Sequence, residues 1–359
     1  MGISDLNSYI RKNYPSIYEE IPISSLAYKK IAIDISLYLC LYKSSYGEDW
    51  LKAFIKLISC LRKNEVHCVF IYDSGSPPEK SEERKKRREN RNKMEEKVWK
   101  LEEALDDYYK TGVVDKLLID FVNSSGKNQK RLINPDKPVK FNDKTAKYYI
   151  EQKKKQLFEL RPEDYKNTKD LFDILQVPYY DAPLEAEKLC SDLCKRGLVD
   201  AVLTEDSDVM AYGCPVYLSK IDVKKEKCVR ISFQDVLTNF EMIEEEFLDM
   251  CIMFGTDYNK RIRNFGPCKI VPHVQKFKNI ENIIKEIETN KRYDIKDLNY
   301  IRVRELFNQF EIFKIDNIPF CGFPDIKKLS IFLKKNNINM CVEQIESYFV
   351  NNNFTIEEE

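Results

Sequence analysis

Residues 200–208 read DAVLTEDSD, a short apolar run that stops on carboxylates, with Asp206 and Asp208 two apart. The form occurs twice upstream, in KIAIDI at 30–35, which contains Asp34, and in CVFIYD at 68–73, which ends on Asp73. Short apolar runs bounded in this way read as strands, whereas segments between them, such as Leu51–Leu61 and Glu185–Arg196, carry helical spacing. Strands alternating with helices predict an α/β fold, a mostly parallel central sheet flanked by helices. Ligands of such sheets bind beyond the carboxyl ends of the strands, so the three acidic strand ends are expected to converge on one edge.

The alternation breaks at Glu79. From there to about Ala104 the chain is nearly all charge (EKSEERKKRRENRNKMEEKVWKLEEA), built of helix formers without Gly or Pro. Residues 111–143 hold much of the chain's Gly, Pro, Asn and Ser and are read as a long loop with one short apolar element at Leu117–Val122. Lys144–Leu160 resumes as a basic helix. Residues 1–78 and 161–257 are therefore expected to form one core, 79–160 a helical insertion, and 258–359 a mostly helical region with Pro267 in a first helical turn. There is no internal repeat, and the Glu357–Glu359 tail is too short to interpret.

At 359 residues with 43% apolar content, the chain suffices for one large α/β domain or two modest ones. Fifty-nine basic and fifty-nine acidic residues cancel, so net charge argues neither for nor against nucleic acid. Eleven cysteines lie scattered without a CxxC pair, and His67 and His273 are the only histidines. Free thiols in a reducing compartment are expected, and a Cys/His zinc site has few candidate ligands. No signal peptide opens the sequence, and the stretch Ile31–Tyr42 is too short to span a bilayer and contains Asp34. Leu6 stands where myristoylation at Gly2 wants Ser or Thr. A soluble intracellular protein is expected.

Further positions carry chemistry. Glu185 and Glu187 in APLEAE would point widely apart inside a helix, and share a site only if a ligand meets the helix end-on at its first turn, which Pro183 marks. Asp206 and Asp208, if extended, point to one face. Asp257 follows the helical run FLDMCIMFG, where Gly255 permits a tight turn. Each acid has an ordinary structural role open to it: complementing a helix dipole, capping a helix, or ending a strand. Asp34, Asp73, Glu185, Glu187, Asp206, Asp208 and Asp257 together are different, because so much negative charge at one partly desolvated edge repels itself strongly. Two divalent cations relieve it, hard cations prefer oxygen ligands, and the chemistry that such a pair serves is phosphodiester hydrolysis. On a helix Lys80, Arg84, Arg87 and Arg91 form one basic stripe. Such a stripe is usually a solvated face, but a polyanion approaching an acidic site needs cations to draw it in.

Here MGISDL, KKIAIDIS, VFIYDSGSPPEKSEERKKR, RPEDYKNTKDLFDILQVPYYDAPLEAEKLC, GLVDAVLTEDSDVMAYG and FLDMCIMFGTDYNKRIRNFGPCK resemble, in order, successive blocks of the flap endonuclease family, which includes the xeroderma pigmentosum group G-type 5′ nucleases. The blocks run from Met1 to about Val274, and weaker similarity reaches FPDIKKLSIFL and Val342–Phe349. The resemblance implies a structure-specific 5′ flap endonuclease and 5′-exonuclease of replication, repair or recombination, with a junction resolvase, a gap nuclease, an RNA-cleaving relative or an inactive branched-DNA scaffold as alternatives. It implies two Mg²⁺ ions, replaceable by Mn²⁺: Asp73, Glu185 and Glu187 as direct ligands of the first with Asp34 partly through water, Asp206 and Asp208 as ligands of the second with Asp257 through water.

Gly2 matches the residue that, once Met1 is removed, packs the N-terminus against DNA near the metals. Lys80 and Arg87 match the Lys and Arg that contact the scissile phosphate from a helical arch, with Arg84 and Arg91 beside them and Lys144, Lys147 and Lys153–Lys155 on the second arch helix. Tyr258–Lys269 resembles the helix–two-turn–helix that grips duplex phosphates, with Gly266 and Lys269 in place and K⁺ as an expected ion. Departures are Asn264 for a usual Gly in that turn, Asp5 for a usual Gly, Cys40 for a base-stacking aromatic (with Tyr38 nearby), and a long 111–143 loop. The sliding-clamp motif is missing, since Gln344 is followed by Ser347 where an apolar residue is required. A monomer acting on branched or flapped DNA in the nucleus or at a viral replication site, without membrane attachment, is expected; the composition, rich in Lys, Asn and Ile, suggests an AT-rich genome such as that of a large DNA virus.

Overall fold

The computed structural model describes residues 2–125, 141–290, 292–309 and 314–349; Met1, residues 126–140 of the expected 111–143 loop and the Glu357–Glu359 tail lie outside them. The strands are β1 (Glu19–Pro22), β2 (Lys30–Asp34), β3 (His67–Tyr72), β4 (Tyr179–Asp181), β5 (Ala201–Leu203), β6 (Val216–Asp222) and β7 (Lys227–Ser232). They form one sheet in the order β1-β7-β6-β5-β2-β3-β4. The β5-β2-β3-β4 stretch and the β5–β6 pair are parallel, and β1 and β7 pair antiparallel at one edge. Central β2 is buried on both faces, as a parallel strand must be, and its Ala32 faces Val69 on one side and Val202 on the other.

The helices are α1 (Leu6–Asn13), α2 (Ile35–Tyr46), α3 (Trp50–Lys63), α4 (Ser81–Thr111), α5 (Lys116–Ser125), α6 (Asp143–Lys155), α7 (Pro162–Leu175), α8 (Ala186–Lys195), α9 (Asp208–Ala211), α10 (Phe233–Phe240) and α11 (Glu244–Phe254), then α12 (Pro267–Phe277), α13 (Ile280–Ile287), α14 (Tyr300–Asn308), α15 (Ile326–Lys335) and α16 (Val342–Ser347). By contacts the chain divides into two compact units. One comprises Met1–Leu39, Leu51–Ser81 and Pro162–Glu359, and holds the sheet; the other comprises Cys40–Trp50 and Glu82–Arg161.

In the second unit α4 runs 31 residues, longer than its charge run. The apolar element expected at Leu117–Val122 is the ten-residue helix α5 inside what reads as loop. Its Leu118 and Phe121 are buried with Val98, Leu101 and Leu105 of α4 and Ala146 and Ile150 of α6, a small core of their own. Charge dominates α4, but one face of its second half is apolar, and that face lets three helices hold together where two helices joined by a loop were expected.

Candidate active site

The parallel strands deliver their carboxylates to one edge. β2 ends on Asp34, whose Oδ1 accepts hydrogen bonds from the amides of Ser36 (2.8 Å) and Leu37 (3.3 Å) as α2 begins. Asp73 follows β3 directly, and its Oδ1 accepts the amide of Ala186 (2.7 Å) at the start of α8. Glu185 is the N-cap of α8, with extended backbone, and Glu187 lies in its first turn. The two glutamates therefore meet the site end-on, as their spacing requires, although the helix opens at Ala186, beyond Pro183. Helix capping and a shared site coexist here: Asp34 and Asp73 each use one oxygen on backbone amides.

Asp206 and Asp208 are brought together differently from the expected extended pair. β5 stops at Leu203, Thr204 Oγ1 accepts the amide of Asp206 (3.0 Å), and Asp206 Oδ1 accepts the amide of Asp208 (3.0 Å), which opens α9. A short acid side chain that bonds the backbone two residues on folds the chain into a turn, and this local bond wins over extension. Asp208 is completely buried, and neither of its carboxylate oxygens has a hydrogen-bond partner. Asp257 enters after α11, where Gly255 adopts a φ of 94°.

Lys80 stands among these acids. It closes the single turn Pro78–Lys80, and its ammonium lies 2.5 Å from Glu185 Oε1, 3.2 Å from Glu187 Oε1 and 3.6 Å from Asp257 Oδ2. Burial alone would lower its pKa, but the charges of Glu187, Glu185 and Asp208 overcome that and raise it, so Lys80 is a permanent cation. The acids are strained the other way. Burial, then repulsion from Asp73 and Glu187, pushes Asp34 well above the carboxylate range; burial, then Asp206, does the same to Asp208. Burial and Glu187 raise Glu185, and push Asp206 up to about 6.

These residues fit hard divalent cations: the donors are oxygens, Asp208 carries two buried oxygens with no partner, and one lysine cannot balance seven carboxylates. Among the described residues no three acidic, cysteine or histidine side chains stand close enough to enclose an ion as arranged here. The Lys80 ammonium, inserted between Glu185, Glu187 and Asp257, supplies positive charge in their midst.

The N-terminal segment closes the site beside the second acidic pair. Ser4 N donates to Gly255 O (2.9 Å), and Ile3 is buried. Gly2, at φ 82°, lies so close that a Cβ there would fall 2.0 Å from Asp206 Oδ1 and 2.7 Å from Asp208 Oδ1. Asp5 takes the left-handed conformation, which explains why Gly suits that position, and its added charge is neutralised by Arg261 Nη1 at 2.6 Å.

Two site residues escaped the sequence reading. Tyr258 donates its hydroxyl hydrogen to Glu185 Oε2 (2.6 Å), and Tyr212 Oη lies 2.8 Å from Tyr258 Oη. Both tyrosines are buried, and Phe307 of α14 packs against both rings, at 4.8 and 5.3 Å between centroids. Adjacency to Asp257 was a usable signal for Tyr258; nothing in the sequence marks Tyr212.

Of the basic residues, Lys80 belongs to this cluster, whereas Arg84, Arg87, Arg91 and Lys93 lie on α4 in the second unit. Arg84, Arg87 and Lys93 are exposed, Arg91 is half-buried, and Arg87 Nε sits 3.2 Å from Glu83 Oε1. Lys154 turns to Glu102 (2.7 Å) and Lys153 to Gln156 (3.2 Å). Tyr38 is 1% exposed, so its ring offers no face to a base. In the Tyr258–Lys269 segment, Gly266 caps α12 with Pro267 in its first turn, and Asn264 supplies the left-handed residue at φ 62°. Lys269 Nζ bonds Asn264 O (3.0 Å) and Tyr293 Oη (3.2 Å), bracing that turn. Among the described residues, no helix is long and apolar enough to cross a membrane.

Comparison with known proteins agrees with this geometry. The XPG N-terminal domain family matches residues 1–94 and the XPG I-region matches residues 176–257. "Probable RAD2-like endonuclease 369L" of Invertebrate iridescent virus 6 is 32% identical, covering 97% of this chain and 92% of that protein. "Flap endonuclease 1" of Drosophila grimshawi is 29% identical over 86% of this chain and 73% of that one. Among solved structures, the catalytic core of Rad2 in complex with DNA substrate superposes with a TM-score of 0.68 at 17% identity, covering 97% of this chain and 98% of that one.

Proposed function

The chain belongs to the flap endonuclease and XPG-type 5′ nuclease family, and from that premise we propose that it is a divalent-metal-dependent nuclease that cuts branched DNA near the base of a 5′ flap. One observation carries the reading furthest: Asp208, buried with both oxygens unpartnered, at an edge it shares with six further carboxylates, where burial and then the charge of Asp206 push its pKa well above the carboxylate range. Asp73, Glu185 and Glu187 would hold one Mg²⁺ with Asp34 beside it, and Asp206 and Asp208 a second with Asp257 beside it; Mn²⁺ would serve in their place. When bound, such ions supply a nucleophile at neutral pH and stabilise the leaving 3′ oxygen.

The rest is done by the chain itself. Lys80, fixed as a cation, neutralises charge that gathers on the phosphoryl oxygens in the transition state, and Arg87 is assigned the same work from α4. Tyr258 holds Glu185 through its second oxygen and so fixes its orientation. Gly2 allows the N-terminal backbone to close on the second acidic pair without a side chain in the way. Arg84 and Arg91 draw the strand in, while Gly266 and Lys269 hold duplex phosphate at the start of α12, with K⁺ as the ion of that turn. The protein works as a monomer, in the nucleus or at a viral replication site.

Cleavage mapping on flap, nick, bubble and four-way-junction DNAs, each end labelled separately, tests the reading. Cuts near the base of a 5′ flap that leave a 5′-phosphate are expected with Mg²⁺ or Mn²⁺, and Ca²⁺ should support binding without cleavage. Preferential trimming of 3′ flaps, or full activity in excess chelator, would overturn it.

A further inference from the structure

Lys80 sits on a single turn at the very edge of its unit, and a side chain there needs something to hold its backbone still if it is to act on a phosphate. The residue before it is so held. Glu79 Oε1 accepts a hydrogen bond from Arg302 Nε (2.8 Å), although the two lie 223 positions apart in the chain. Arg302 comes from α14, and its Nη1 is steadied by Glu305 on the same helix (2.9 Å). Helix α14 is itself fixed. Two residues on, Arg304 grips both oxygens of buried Asp249 on α11 (2.5 Å each) and both oxygens of Glu281 on α13 (2.6 and 2.9 Å). A third residue of the same helix, Phe307, packs on Tyr258, whose hydroxyl holds Glu185, the acid nearest to Lys80. One helix thus braces both partners of the 2.5 Å Lys80–Glu185 contact, Lys80 through its neighbour Glu79 and Glu185 through Tyr258.

We infer that Arg302 is a positioning residue for the cleavage reaction, acting through Glu79 to hold the Pro78–Lys80 turn so that Lys80 faces the acids. The pair is partly exposed, with Arg302 at 42% and Glu79 at 20%, so it contributes little to global stability, and its value lies in where it fixes the backbone. The inference rests on the reading of Lys80 as a residue that acts on the scissile phosphate.

The test is a set of single-turnover rates and binding constants on one 5′-flap DNA with Mg²⁺ at one salt concentration. Arg302→Ala and Glu79→Gln should each slow cleavage by about 10-fold, part of the ~100-fold that a misplacement of about 1 Å at a reacting centre costs, with binding unchanged. Adding Arg302→Ala to Lys80→Met should slow the reaction no further, since a residue that works through Lys80 has nothing left to act on. The exchange Glu79→Arg with Arg302→Glu should recover most of the rate. A slow Lys80→Met enzyme beside a normal Arg302→Ala enzyme overturns the inference alone, as does an undiminished Arg302→Ala effect in the Lys80→Met background. Weaker binding on Arg302→Ala with normal Glu79→Gln would make Arg302 a DNA contact instead. Cleavage by Lys80→Met at the wild-type rate overturns the role of Lys80 itself, and this inference with it.

Discussion

Gly2→Ala perturbs the second acidic pair without removing a charge or a ligand. A Cβ at residue 2 would fall 2.0 Å from Asp206 Oδ1, 2.7 Å from Asp208 Oδ1 and 2.8 Å from Asp208 N. Ordinary contact needs about 3.5 Å, so something must move by more than about 1 Å. The N-terminal segment resists, because Ile3 is buried and Ser4 N is bonded to Gly255 O. Asp208 resists too, being wholly buried at the start of α9. The φ of 82° adds strain of about 1–2 kcal/mol for any residue with a side chain. Asp206 is therefore displaced, and a shift of about 1 Å at a reacting centre costs roughly 100-fold in rate. Single-turnover cleavage of a 5′ flap should fall by about that factor, with nearly unchanged binding and a higher Mg²⁺ requirement. A rate within about threefold of wild type, a difference of less than ~1 kcal/mol, would show that the N-terminal segment yields freely and that its closeness to Asp206 does not matter for the chemistry.

Asp206→Asn should abolish cleavage while leaving gel-shift affinity for flap DNA almost intact; retention of activity within about tenfold, or ~1.4 kcal/mol, would remove Asp206 from the site. Arg87→Ala should cut the single-turnover rate by ~100-fold with little effect on binding, whereas Lys93→Ala, off the basic stripe, should change only salt sensitivity; equal binding defects with normal rates would make the stripe a general attractor of DNA. In the ion-free protein the folded state holds the Asp206 proton up to about pH 6, against 3.8 ordinarily, so it binds more protons than the unfolded chain in that window and stability falls as pH rises through it. Chelated protein should therefore unfold at higher denaturant near pH 5 than near pH 7, by on the order of 1 kcal/mol from Asp206 alone; stability that rises across this range would refute the crowding of the acids.

The sheet was readable because its central strands are short, apolar and punctuated by acids, and parallel topology turns that punctuation into a shared edge. Asp34, Asp73 and the α8 glutamates sit where this logic puts them. The Asp206–Asp208 turn was not readable from period-two spacing, because an acid that bonds the amide two residues on competes with the strand and wins within a few residues. Residues 111–143 misled for a related reason: polar and breaker residues set the average, while Leu118 and Phe121, two side chains in a ten-residue helix, decide that α5 packs.

What the sequence concealed at the site is long-range. Tyr212 stands 46 positions before the tyrosine it meets, and Arg302 stands 223 positions after Glu79. No local pattern encodes such pairs, since each depends on where α14 docks, and that is set by Arg304 closing on Asp249 and Glu281 from two other helices. Acids gathered at one sheet edge betray themselves by chemistry and spacing, whereas the groups that contact them need only reach them from any direction. A residue such as Arg302, charged and partly exposed on an amphipathic helix, is indistinguishable in sequence from an ordinary solvated cation. Only its bond to Glu79, next to the lysine buried among the carboxylates, gives it a place in the chemistry.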